Sequence, residues 1–470
     1  MEVSSRIRPA DEALIRPTRM RYCSVVALND TSSSPVVRSV NDKLIRPLGD
    51  FLHKEASAGL LLVLAAVTAL IWANSPWSDS YFDLLSTEAF IGIGDFEIGL
   101  DLKEWINDGA MVLFFFVVGL EIKRELTQGE LRDPRQAALP IIGAIGGMIV
   151  PAVIFAALNA GGEGQDGWGI PMATDIAIVM GVVALMGTRA PSWLKLFLLA
   201  LAIVDDIGAI LVIAVFYSEG VSFEWLAVAI GAVVVAALSR STLTSIGPYL
   251  VLGAICWVGL HEAHIHPTLA GVTFGMMAPV RPFRTTALVD ADELAQRPNA
   301  ANALRVSTQA RSTVSIVEWL EYKLHPYSAF LIVPMFALAN AGIRIPASEV
   351  GAAFSNPVTW GVILGLVVGK AVGITAFTLG AVALKIGSLP VGVTPRYVIG
   401  AGALGGIGFT VSLFVTELAF GEELVGTDAR LGVLIASLLA GAIGTAILIP
   451  GRVVDDRSMD DHLPEPVAPV

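Results

Sequence analysis

Long apolar runs alternate with short polar connections along the chain, and the runs set its architecture. Twelve fit membrane-spanning helices, near residues 57–74, 105–122, 137–158, 171–187, 193–217, 223–238, 247–260, 267–280, 327–343, 358–384, 396–417 and 430–449. A helix needs roughly 20 apolar residues to cross a hydrocarbon core, so the pattern predicts an all-α polytopic membrane protein. Two runs are interrupted. The fourth opens Gly169-Ile-Pro-Met-Ala-Thr-Asp175, where Thr174 and Asp175 read as helix N-cap residues at membrane depth. The eleventh carries Gly400, Gly402, Gly405, Gly406 and Gly408 just before Phe409-Thr410, which predicts an unwound segment. Irregular backbone is tolerated at that depth only where it is buried in protein or lines a cavity.

The connections carry their own signals. Phe90 to Leu102 alternates apolar and turn-forming residues, predicting a small external β-hairpin whose open edges suit pairing with a second subunit. A solvated loop fits the same pattern. The polar stretch 281–324 predicts a cytoplasmic connection with a surface helix over 290–310, a tether or a regulatory element. Residues 1–46 are polar and arginine-rich with no apolar core, so they read as a disordered cytoplasmic tail and not a signal peptide. Residues 453–470 read as a second cytoplasmic tail, leaving 47–452 as the twelve-span unit.

At 54% hydrophobic and 15% charged over 470 residues, the chain is too apolar to be soluble. The net charge of −12 matters less than where the positive charges lie. Alternate connections hold Lys123, Arg124, Arg132 and Arg135, then Arg189 and Lys195, then Arg240, then Arg281, Arg284, Arg297, Arg305, Arg311 and Lys323, then Lys385 and Arg396, and finally Arg452. The other set has only Lys103, Arg344 and Arg430 among many acids. This asymmetry puts both termini in the cytoplasm. Cys23 and Cys256 offer no disulfide framework. No cofactor and no nucleic-acid partner is expected.

Chemistry concentrates in Leu201-Ala-Ile-Val-Asp-Asp-Ile-Gly-Ala-Ile-Leu-Val-Ile213, where Asp205 and Asp206 interrupt an otherwise apolar run. A charge at that depth costs roughly 2.5–3.5 kcal/mol on insertion scales, so two in succession need a reason. Interhelical hydrogen bonding is one, but a neutral side chain would serve at lower cost. A site shared by cations and protons is the reading preferred. Lys370 lies too deep in the tenth run to snorkel, and one of the aspartates is its natural partner. Asp175 and Lys370 are also placed to offset the dipoles of the two broken helices.

Three other patterns carry less. Gly92-Ile-Gly-Asp95 matches an intramembrane protease motif, but it falls in an external connection. Gly400-Ala-Gly-Ala-Leu-Gly405 has no preceding strand, so a dinucleotide fingerprint fails on context. His261, His264 and His266 are unevenly spaced in a loop and read as a pH-responsive turn more than as metal ligands.

Several stretches together resemble the NhaA family of bacterial Na+/H+ antiporters over about residues 47 to 452. They are Ala73-Asn-Ser75, Trp105-Ile-Asn-Asp108, Val118-Gly-Leu-Glu-Ile-Lys-Arg-Glu-Leu126, Ala144-Ile-Gly-Gly-Met-Ile-Val-Pro151 and Ala173-Thr-Asp-Ile-Ala177, then Leu201 to Ala209, Thr268-Leu-Ala-Gly271, Phe336-Ala-Leu-Ala-Asn-Ala-Gly342, Gly369-Lys370 and Gly405-Gly-Ile-Gly-Phe-Thr410. The resemblance implies two inverted repeats, spans three to five (about 137–218) and ten to twelve (about 358–450), with the fourth and eleventh spans broken and crossing. It implies Asp205 and Asp206 as ion-binding carboxylates, Thr174 as a neighbouring oxygen, Asp175 as a dipole compensator and Lys370 as the partner of Asp205. The broken helix would turn at Gly405, Gly406 and Gly408. Glu121, Glu321 and His266 match positions that the family associates with pH response. Two departures stand out: Ala371 where proline commonly follows the Gly-Lys pair, and Tyr322 where a member has histidine.

The resemblance implies a transporter, not an enzyme, that exchanges Na+ or Li+ for H+ across the bacterial inner membrane. More protons than sodium ions would move per cycle, so the process senses voltage, at about 2.3 kcal/mol per charge per 100 mV. A sodium-coupled symporter would need a second, organic-sized site, and a channel tends to use rings of like residues. The sequence marks neither.

Overall fold

Each of the twelve apolar runs is helical in a computed structural model, which describes residues 55–94, 96–218, 220–239, 246–280, 315–344, 350–390, 393–421 and 423–449. Both tails and the expected surface helix over 290–310 lie outside the described residues. The helices are α1 (Glu55–Ala73), α2 (Leu102–Thr127), α3 (Pro134–Leu158), α4 (a 3-10 segment Gln165–Met172, then Ile176–Met186), α5 (Ser192–Phe216) and α6 (Phe223–Ser239). Next come α7 (Ile246–Glu262), α8 (Leu269–Met277), α9 (from Ile316–Tyr327 through a π-helical turn to Val333–Asn340), α10 (Pro357–Ala383), α11 (Pro395–Leu404 and Phe409–Phe420) and α12 (Leu424–Leu448).

Six of these, α2, α3, α4, α5, α10 and α12, are each long and apolar enough to cross a membrane. Two bent pairs bring the number to eight among the described residues: the halves of α11 meet at 45°, and α1 meets a short helix, Ser78–Leu85, at 115°. That short helix was not legible in the sequence. Large apolar side chains such as Leu185, Leu211, Leu238 and Leu438 face outward, as a lipid-facing surface requires.

Strands β1 (Glu88–Ile93) and β2 (Phe96–Asp101) form the expected hairpin, in register from Glu88 opposite Asp101 to Ile93 opposite Phe96. Gly94 supplies the positive φ of 66° that the tight turn needs. Asp101 then starts α2 with a capping box: its carboxylate accepts from Glu104 N–H at 2.7 Å, and the Glu104 side chain accepts from Asp101 N–H at 3.0 Å.

The helices α3–α5 and α10–α12 repeat one local design. Asp133 and Asn356 each stand before a first-turn proline and each accept from the backbone N–H two residues on. Each triplet continues with a broken helix whose second half ends at a glycine with positive φ, Gly187 at φ 58° and Gly421 at φ 53°. Each closes with a helix of 25 residues. The two triplets start at odd and even positions in the order of spans, so they run in opposite senses. This is the inverted repeat, written in caps and turns.

The repeats lock together at their first helices. A Cβ on Gly373 of α10 would sit 2.2 Å from the Gly146 carbonyl of α3, and one on Gly146 would sit 2.4 Å from the Gly373 carbonyl. Only glycine allows backbones this close. The broken segments touch as well, through Asp175 N–H donating to the Ile407 carbonyl at 2.6 Å.

Candidate functional site

Five side chains gather where α4 and α11 cross. Helix α5 presents Asp205, fully buried, and Asp206, 7% exposed. Thr174 and Asp175 sit at the break in α4, ahead of Ile176. Lys370 comes directly after a π-helical stretch, Gly365–Gly369, in α10. A π turn widens the helix locally and re-aims the side chains beyond it, and Lys370 ends with no exposure at all.

Lys370 Nζ donates to Asp205 Oδ2 at 2.5 Å and to Thr174 Oγ1 at 3.0 Å. The Thr174 hydroxyl has two acceptors in range, Asp205 Oδ2 at 2.7 Å and the Gly405 carbonyl at 2.8 Å. With one proton it donates to one of them at a time. Gly405 caps the C-terminus of the first half of α11, so a cation and a hydroxyl stand at a negative helix end. Asp205 Oδ1 is buried with no hydrogen-bond partner among the described residues. Asp206 is held by no hydrogen bond among them either.

Asp175 serves the opposite poles. Its Oδ1 accepts from Ile178 N–H at 3.1 Å, capping its own half-helix. Its Oδ2 accepts from Thr410 N–H at 3.0 Å and Thr410 Oγ1 at 2.6 Å, at the N-terminus of the other half-helix. One carboxylate thus faces two positive helix ends. The turn between the halves of α11 is pressed against α10: a Cβ on Gly406 would lie 2.3 Å from the Leu366 carbonyl. Gly408 is the N-cap of the second half and offers it no side-chain cap.

Of the remaining candidates, the structure groups two and separates one. Glu321 of α9 pairs with Arg124 of α2, which also reaches Glu125 at 3.2 Å. Burial pushes the Glu321 carboxyl up from its ordinary range, and the Arg124 charge opposes that. Arg124, Glu318, Glu321, Tyr322, His325 and Pro326 line an open cavity of about 310 Å³. Glu121, one turn away on α2, lies within electrostatic reach of both Glu321 and Asp206. His266 is elsewhere. Its Nδ1 is 2.8 Å from Thr268 Oγ1, and its Nε2 is 3.6 Å from Asp108 Oδ1, too long for a hydrogen bond. Asp108 and Glu121 are thirteen residues apart on α2, about 20 Å of helix.

Sequence reasoning missed the ion pairs at the other end of the molecule. Lys103, Arg344 and Arg430, the exceptions to the charge asymmetry, are each paired. Lys103 meets Glu417 at 2.7 Å, Arg430 meets the other oxygen of Glu417, and Arg344 meets Asp79 at 2.7 Å. Also missed were Thr410 and Ser437, whose hydroxyls become significant only once the crossing is seen.

The family model described as Na+/H+ antiporter 1 matches residues 49–448. A protein of Frankia alni named Na(+)/H(+) antiporter NhaA 3 is 45% identical over 414 residues, covering 87% of this chain and 89% of its own length. The Na(+)/H(+) antiporter NhaA of Rhodopirellula baltica is 45% identical over 423 residues, covering 87% of this chain and 94% of its own. A solved structure of the sodium proton antiporter MjNhaP1 from Methanocaldococcus jannaschii aligns with 86% of this chain and 100% of that one, at 13% identity and a TM-score of 0.44. With its model match spanning the twelve helices, the chain belongs to the Na+/H+ antiporter 1 family.

Proposed function

We propose that this protein exchanges Na+ for H+ across the bacterial inner membrane, with Asp205 and Asp206 as the carboxylates for which the two ions compete. One observation carries the reading: adjacent carboxylates are buried at the crossing of two broken helices, one clamped by Lys370 and the other unengaged. The names of its relatives support the same reading.

Sodium is a hard cation that takes oxygen ligands, and an ionised carboxylate supplies both oxygen and charge. A proton on the same oxygens removes that charge, so each ion excludes the other. The two carboxyls titrate as a coupled pair. Sodium arriving at Asp206 attracts Asp205, whose free Oδ1 gives it a second ligand, with Thr174 as a neutral third. Lys370 is then released from Asp205 Oδ2. Exchange becomes obligatory if only the sodium-loaded or the protonated site reorients, because empty and doubly loaded forms do not cross. Moving more protons than sodium ions per cycle makes the exchange voltage-sensitive, and Li+ fits the same ligand chemistry.

Proteoliposomes containing a pH-sensitive dye test this. Added Na+ dissipates an imposed proton gradient, K+ does so far less, and an organic solute adds nothing. A requirement for co-transported solute, or equal conduction of K+, contradicts the proposal.

Glu121 and Glu321 connect the site to the basic, cytoplasmic end of α2 and carry the pH response, and His266 joins them by resemblance alone. Because burial raises the Glu321 carboxyl, it titrates nearer neutrality than a surface glutamate. Glu321→Gln, which removes that titration, therefore moves the activity profile along the pH axis and leaves the maximal rate near that of the unaltered protein. A lower rate with an unmoved profile contradicts the sensor role. The hairpin β1–β2 leaves Phe90 and Ile91 exposed on an open-edged sheet, which suits pairing with a second copy.

A further inference from the structure

A half-helix that starts inside a membrane protein brings unsatisfied N–H groups with it. In the second half of α11 the N-cap, Gly408, has no side chain to meet them. Two other helices do so instead. Asp175 of α4 takes Thr410 N–H, and Ser437 Oγ of α12 takes Phe409 N–H at 3.2 Å. Ser437 is 8% exposed and lies between Ala436 and Leu438, in a helix that is otherwise apolar at this depth.

The repeat gives that serine a meaning. Asp205 and Ser437 each stand thirteen positions past the first residue of their 25-residue helices. Lys370 and Gly147 likewise stand thirteen positions past Pro357 and Pro134. The charged pair Asp205–Lys370 therefore has an uncharged counterpart, Ser437 and Gly147, at equivalent stations. A Cβ on Gly147 would lie 2.7 Å from Ile374 Cγ1 and in ordinary contact, 3.6 Å, with Lys370 Cδ, so this glycine lets α10 pack closely one turn past the lysine. The equivalent of Asp205 cannot bind a cation by charge. It keeps an oxygen, and that oxygen is engaged by the backbone of the broken helix.

We propose that Ser437 is a positioning residue for the exchange. By holding Phe409 N–H it fixes the start of the half-helix, so that Thr410 stays on Asp175. It also keeps the Gly405 carbonyl in reach of Thr174 and the Asp205–Lys370 pair. This rests on the exchange reading above. Ser437 touches no transported ion; it acts on sodium affinity through the backbone of α11.

The test is a series at one position, Ser437→Thr, Ser437→Cys and Ser437→Ala, reconstituted beside the unaltered protein and Asp206→Asn. Thermal stability of each is recorded in detergent. Sodium KM follows the strength of the acceptor: unchanged in the threonine variant, intermediate in the cysteine variant, and about three- to tenfold higher in the alanine variant, the scale of one weakened buried hydrogen bond. Maximal rate stays within about twofold throughout, because such a bond positions and does not react. A KM indifferent to the acceptor overturns the proposal. So does a loss of rate that tracks loss of thermal stability and is not restored by threonine. If the alanine variant does not insert, the cysteine and threonine variants decide by the same ordering. Normal exchange in Asp206→Asn removes the underlying site assignment; an inactive Asp206→Asn beside an unaffected Ser437 series removes only the role of Ser437.

Discussion

Replacing Asp206 by asparagine abolishes sodium-driven proton movement while leaving the protein folded and inserted. The two halves of that expectation have separate grounds. Asparagine has the shape of aspartate, and Asp206 is held by no hydrogen bond among the described residues, so little structure is lost. The loss is a unit charge beside the cation. At about 4 Å and an effective dielectric near 20, that charge is worth roughly 4 kcal/mol, or about a thousandfold in affinity. Dye-loaded proteoliposomes read the loss directly. Exchange at the unaltered rate in this variant would end the assignment of Asp206.

Removing Lys370 has the larger effect on stability. Lys370→Met leaves Asp205, fully buried, without its cation. Breaking such a pair from one side costs about 3–5 kcal/mol, whereas replacing both partners by neutral groups is often close to neutral. The single variant therefore melts well below the unaltered protein in detergent, and Lys370→Met with Asp205→Asn recovers most of the difference. Equal melting of single and double variants would mean that the pair is not the source of the loss. Both variants transport poorly, since the double one regains stability but not the charge that sodium needs.

These two residues also mark how far the sequence could be read. Asp205 and Asp206 are conspicuous because nothing else polar lies near them along the chain. Thr174 and Asp175 follow a proline and precede an apolar run, so a cap in the middle of a span is readable from local rules. The glycines from Gly400 to Gly408 announce a break for the same kind of reason. Long-range pairing is a different matter. That Asp175 caps a second half-helix 235 residues away depends on the crossing, which no local pattern encodes. Ser437 looks like any small residue in an apolar helix until Phe409 N–H is found against it. The register of Lys370 is set by a π turn, a shift that helical periodicity does not anticipate. The charge asymmetry sets the expected orientation yet leaves Lys103, Arg344 and Arg430 as exceptions, because each is paired with a carboxylate that only the folded chain brings to it. His266 joins Glu121 and Glu321 by resemblance alone, and the fold puts it near the other end of α2.

The central claim is competition, and sodium binding to the purified protein as a function of pH tests it most directly. Calorimetric titration in buffers of differing ionisation enthalpy reports both affinity and protons released. The account predicts that sodium binding weakens steadily as pH falls and that each sodium bound expels protons, with both effects absent in Asp206→Asn. Sodium affinity that is independent of pH, with no proton released on binding, would contradict it.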